Sequence, residues 1–127
     1  MHRTPWLCAL ALAVTVTSGA ACSSSPSGSG VAESKKLTQL SASERDQLCT
    51  YAVDVENGPR TVDCGNMITV TIEDKATCVS SFEAVNIQCQ ATVADAEACF
   101  RAFGDKPCDI GGGACTTLFT CVSPTGN

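Results

Sequence analysis

The chain is predicted to be a small disulfide-rich, mainly α domain of about four short helices with one β-hairpin. Three observations predict this. Ten of its 127 residues are cysteine, a density found in small exported scaffolds that staple a thin core. Apolar residues recur at helical spacing in four segments, most of them opened by a capping residue. One further segment alternates apolar and polar side chains after a Gly-Asn turn, as the second strand of a hairpin does.

The first helix is expected over about Ala42 to Val53. Ser41-Ala42-Ser43-Glu44 forms a capping box, a small hydroxyl followed three residues later by Glu. Leu48, Cys49 and Ala52 fall on one face, and Asn57-Gly58-Pro59 ends the helix by turn chemistry. Two strands follow, about Arg60 to Cys64 and Met67 to Ile72, with Gly65-Asn66 as the turn and Ile68, Val70 and Ile72 on one side.

Asp74 caps a second helix reaching about Val85, with Cys78, Val79, Phe82 and Val85 on its apolar face. Thr92 caps a third, with Asp95 three residues on. Its stripe is Val93, Ala96, Cys99, Phe100 and Phe103, and Gly104 is expected to stop it. After Gly111-Gly112-Gly113, a fourth short helix begins near Ala114 and places Cys115, Leu118, Phe119 and Val122 together. Val53, Phe82 and Leu118 read as core residues rather than as a ligand box.

The N-terminus carries an export signal. Arg3 precedes an apolar run from Trp6 to Val16, long enough for a signal peptide and about half of what a membrane span needs. Small residues then lead to Cys22. Residues 1–21 are expected to be the signal peptide, and 22–36 to be a lipidated Cys22 with a Ser/Gly-rich flexible tether. Residues 37–127 are expected to be the stapled globular domain.

Gly19-Ala20-Ala21-Cys22 resembles the bacterial lipobox, with Gly19 where Leu is usual. The resemblance implies that Cys22 is diacylated through sulfur and becomes the new N-terminus. It would then anchor the protein to the membrane of the cell envelope. Ser23, a residue other than Asp, is compatible with the outer membrane. Simple secretion is the alternative.

Cysteine parity agrees with lipidation. Cys8 leaves with the signal. With Cys22 acylated, Cys49, Cys64, Cys78, Cys89, Cys99, Cys108, Cys115 and Cys121 remain, an even number that allows four disulfides. Of 105 connectivities, geometry removes one option. Cys115 and Cys121 on one short helix would stand about 9 Å apart along its axis, beyond disulfide reach. Cys99 is therefore expected to pair with Cys115 or Cys121. Cys64, Cys89 and Cys108, in loops, would tie the hairpin and connections to the helices.

Several chemistries lose their residues. The one histidine, His2, lies in the signal peptide, which removes histidine-based triads and most catalytic zinc sites from the mature chain. No C-x-x-C spacing occurs among the domain cysteines. The glycine run at 111–113 lacks the lysine of a phosphate loop. Asp54 with Glu56, and Glu73 with Asp74, read as structural carboxylates, the latter at a helix start where the dipole favours them.

From Leu37 onward twelve acidic side chains face five basic ones, so nucleic acid is not an expected partner. No metal or cofactor is expected. The chain also resembles, taken whole, the short cysteine-rich lipoproteins of unknown function encoded by some soil Gram-negative bacteria. The likeness lies in the Gly-Ala-Ala-Cys site, the Ser-rich tether, Leu40 to Glu44, Val62 to Gly65, and Ala91 to Asp95 with Cys99. It implies location and build, not activity. The expected function is a non-enzymatic, lipid-anchored binding or structural module for an unknown protein or polymer partner. A secreted inhibitor or toxin-like module is the alternative, and an enzyme using carboxylates alone is a third reading.

Overall fold

The computed structural model describes residues 28–109 and 112–122. The expected signal peptide, Cys22 and residues 23–27 of the expected tether lie outside the described residues. The described chain holds four helices and one hairpin: α1 (Ala42–Glu56), β1 (Arg60–Asp63), β2 (Thr69–Ile72), α2 (Lys75–Glu83), α3 (Val93–Asp105) and α4 (Thr116–Val122). Short 3-10 turns at Leu37–Gln39 and Gly113–Cys115 precede α1 and α4. This is the disulfide-rich, mainly α architecture expected.

The caps form as the side chains dictate. Ser41 accepts the Glu44 amide, and Glu44 accepts the Ser41 amide at 2.8 Å. Asp74 accepts the Thr77 amide at 2.8 Å. Thr92 and Asp95 close a second capping box. Each cap satisfies helix-end donors that would otherwise lack partners, typically worth about 1 kcal/mol. Asn57, left-handed at φ 53°, ends α1.

β1 and β2 pair antiparallel with Val62 opposite Val70 and Asp63 opposite Thr69. Val70 and Ile72 turn inward and are buried. The turn differs from the expected Gly65-Asn66 pair. Ile68 donates to the Gly65 carbonyl, and Asn66 and Met67 both take positive φ, 51° and 62°. The turn is thus centred one residue later, which leaves Met67 fully exposed.

α1 packs against α2 and α3, and α4 packs on α3. Leu48 and Ala52 of α1, Phe82 of α2, Val93, Ala96 and Phe100 of α3, and Leu118 of α4 meet in one core. Gly104 does not stop α3. It lies inside the helix, where a β-carbon would meet the Val55 carbonyl oxygen of α1.

The expected domain boundary at Leu37 requires correction, because residues 28–36 pack on the domain. Lys35 and Glu33 carbonyls accept the amides of Val93 and Ala94 at 2.9 and 3.0 Å. These are the first two amides of α3, donors that the helix cannot satisfy itself. Val31 is buried, and Lys35 forms an ion pair with Glu44 at 2.7 Å. The Lys35 ammonium and the Ser41 amide hold the Glu44 carboxyl down to about 2.

All eight domain cysteines pair. Cys49–Cys78 joins α1 to α2, and Cys99–Cys115 joins α3 to the turn before α4. Cys89–Cys121 ties the α2–α3 connection to α4, and Cys64–Cys108 ties the hairpin to the segment after α3. Cys99 takes Cys115, one of the two partners expected for it. Cys64 and Cys108, two of the loop cysteines, bond to each other.

Cys108 is exposed and Cys64 half-buried, whereas each of the other three bonds has at least one buried cysteine. Attack by a thiolate needs access to a sulfur. Limiting reductant is therefore expected to open Cys64–Cys108 first. Timed alkylation and peptide mapping check this, and labelling that begins at Cys49 and Cys78 would contradict it.

Candidate functional site

The hairpin folds back toward the C-terminal end of α1 and leaves a cleft of about 420 Å³ among five elements, a size that suits a small ligand. α1 contributes Ala52, Val53 and Glu56, and β2 with its following residue contributes Thr71, Ile72 and Glu73. α2 adds Cys78, Ser81 and Phe82, α3 adds Phe100 and Phe103, and α4 adds Leu118 and Phe119. All four phenylalanines of the chain line this cleft.

Helical spacing explains that convergence. Phe100 and Phe103 lie three apart on α3 and share a face. Phe82 faces them from α2, its ring 6.2 Å from that of Phe100 in an edge-to-face arrangement at 87°, a favoured aromatic geometry. Leu118 is buried, whereas Phe119 is 41% exposed at the mouth. Val53, Phe82 and Leu118, expected as core, are also walls of the cleft. Cys49–Cys78 fixes the α1–α2 wall, and Cys99–Cys115 and Cys89–Cys121 fix the approach of α4.

Two carboxylates enter this apolar surface. Neither near-neighbour pair of the sequence, Asp54 with Glu56 or Glu73 with Asp74, forms the site: Asp74 caps α2, and Asp54 lines a different surface beside Gly28 and Tyr51. The structure instead brings Glu56 and Glu73 together. Burial, and then the charge of Glu73, pushes the Glu56 carboxyl up to about 7. Glu56 is also the last residue of α1, where the carbonyl end of a helix disfavours further negative charge.

Sequence reasoning missed a third carboxylate. Glu97 on α3 is only 2% exposed. It accepts the Ser29 amide at 2.7 Å and stands 3.7 Å from the Arg101 guanidinium. Arg101 in turn donates to the Tyr51 hydroxyl at 2.7 Å. The signal was available, since Glu97 falls four residues after Val93 and three before Phe100, inside the apolar stripe. A charge at such a position needs buried partners. Here it holds the tether segment against α3.

Among the described residues no group of three His, Cys, Asp or Glu side chains could hold a metal ion. Among the same residues no helix is long and apolar enough to cross a membrane. No protein-family model, no curated protein and no solved structure matches the chain.

Proposed function

We propose that the chain is an exported lipoprotein whose stapled domain works as a non-enzymatic binding module at the cell envelope, with the Glu56–Glu73 cleft as its contact site. The cleft is the observation that carries the binding role. Five elements converge on it, three disulfides hold its walls, and it gathers every phenylalanine the chain has. A pre-formed apolar concavity with a few polar groups is the usual form of a ligand site.

The four disulfides support export, because such bonds persist in oxidising compartments. Their pairing also supports the anchor. The eight domain cysteines satisfy one another, so Cys22 finds no partner among them. Only five residues lie between Cys22 and Gly28, where the described structure begins, so six chain steps join them. Six such steps span at most about 20 Å, so acylation at Cys22 would hold the domain close to the lipid surface.

Intact mass of the membrane-extracted protein is expected to show an acylated Cys22 as the N-terminus. Cys22→Ala is expected to release or mislocalise the domain without unfolding it, which its thermal transition checks. Recovery of a soluble wild-type form beginning at Cys22 or Ser23 and carrying no lipid would refute the anchor and favour simple secretion.

A carboxylate-only enzyme is the second reading, favoured by one observation, the raised Glu56 beside Glu73 in an apolar cleft. Such pairs serve glycoside hydrolysis when they flank a scissile bond. Glu73, however, is exposed and supplies no desolvated partner. Turnover of glycoside substrates that Glu56→Gln abolishes would decide for the enzyme.

A further inference from the structure

We propose that the cleft binds a small amphipathic organic cation, with its apolar body among the phenyl rings and its ammonium between Glu56 and Glu73. This rests on the cleft being the domain's binding site, and it adds the ligand class.

Charge complementarity is the first argument. The charged residues among those lining the cleft are Glu56 and Glu73; α2, α3 and α4 contribute none. Among the described residues no lysine or arginine lines the cleft to neutralise them. The C-terminal end of α1 adds its carbonyl dipoles on the same side. An anion entering here would meet two like charges, and a neutral apolar ligand would leave both uncompensated. A cation relieves the repulsion between them.

The walls supply the second argument. Phe82, Phe100, Phe103 and Phe119 line the same cleft as the two carboxylates. Ring faces attract cations, more strongly when water is displaced. Carboxylates with aromatic walls recognise an ammonium bearing an apolar group, and give nothing comparable to an acid of the same shape.

Proton linkage then gives a signature. Glu56 lies near half-ionised at about pH 7. A bound cation favours its ionised form, so binding releases a proton and strengthens as pH rises. The competent fraction scales the apparent affinity. Affinity at pH 6 is therefore expected to be about tenfold weaker than at pH 8.

Calorimetry with three probes of one shape tests this: phenethylammonium, 2-phenylethanol and phenylacetate. The protein is the oxidised full chain in its Cys22→Ala form, so that no acyl chain competes for the cleft. At pH 8 the cation is expected to bind at least about tenfold more tightly than the alcohol, and phenylacetate least. Glu56→Gln is expected to bring cation and alcohol level and to remove the pH dependence. Glu73→Gln, a surface change, is expected to weaken the cation and move the pH midpoint down, because it removes the like charge. It also keeps the test decisive if Glu56→Gln fails to fold.

Equal binding of cation and alcohol would overturn cation recognition while leaving the cleft a binding site. Tightest binding of phenylacetate would do the same. Failure of all three probes to bind would overturn both the ligand class and the cleft as the site.

Discussion

Full reduction of the protein is expected to abolish its cooperative thermal transition. The four bonds close loops with sequence separations of 29, 44, 32 and 16 residues. In the chain-entropy account each loop of this size is worth about 3–4 kcal/mol. Together they match or exceed the about 5–15 kcal/mol that separates most native domains from their unfolded chains.

Loss of core reinforces loss of cross-links. Cys49, Cys89, Cys99, Cys115 and Cys121 are themselves among the buried hydrophobics. Without the bonds, the remaining apolar side chains must order a chain that costs about 1–2 kcal/mol per residue in backbone entropy. The oxidised protein should resist alkylation at all eight domain cysteines. Circular dichroism of the reduced, alkylated protein should show no sigmoidal melt. A reduced domain that melts cooperatively near the oxidised midpoint would show that the helices, not the bonds, stabilise the fold.

Local chemistry was readable from sequence wherever one side chain acts on its own neighbours. Ser41 with Glu44, Asp74, and Thr92 with Asp95 cap helices within three residues, so spacing alone places them. The exclusion of a Cys115–Cys121 bond assumed one continuous helix; Cys115 ends the 3-10 turn before α4 and bonds Cys99, one of the partners expected. Long-range features were not readable in the same way. Residues 28–36 look like pure tether because the Lys35 and Glu33 carbonyls that cap α3 are backbone atoms, and composition does not report them.

The site was hidden for a related reason. Glu56 and Glu73 stand seventeen positions apart, and only the return of the hairpin brings them together. Each also has another carboxylate near it in sequence, Asp54 and Asp74, so spacing alone favours the local pairs. Periodicity places the phenylalanines on apolar faces, but it gives the face of one helix and not the gap where several faces fail to close.

Gly104 is the other case of a local signal with a long-range cause, and its substitution by alanine should destabilise the domain. A glycine near a helix end reads as a stop, yet α3 continues through it to Asp105. A β-carbon at Gly104 would overlap the Val55 carbonyl oxygen and stand 3.0 Å from the Val55 carbonyl carbon. Both are backbone atoms of α1, so no rotamer change relieves the contact. α1 and α3 would have to separate, opening the core at Ala52, Ala96 and Phe100 and displacing Glu56 at the edge of the cleft. In an open helix, Gly→Ala would stabilise by about 1 kcal/mol. Here overpacking should reverse the sign and destabilise by about 2–3 kcal/mol, lowering the melting temperature by roughly 10–20 °C for a domain of this size. Gly113→Ala is the matched control, since no heavy atom stands within 4 Å of its added carbon, and it should melt within a few degrees of the parent. If Gly104→Ala instead melts at or above the parent temperature, α1 and α3 do not approach as closely as Gly104 permits, and the shape of the cleft between them would need to be redrawn.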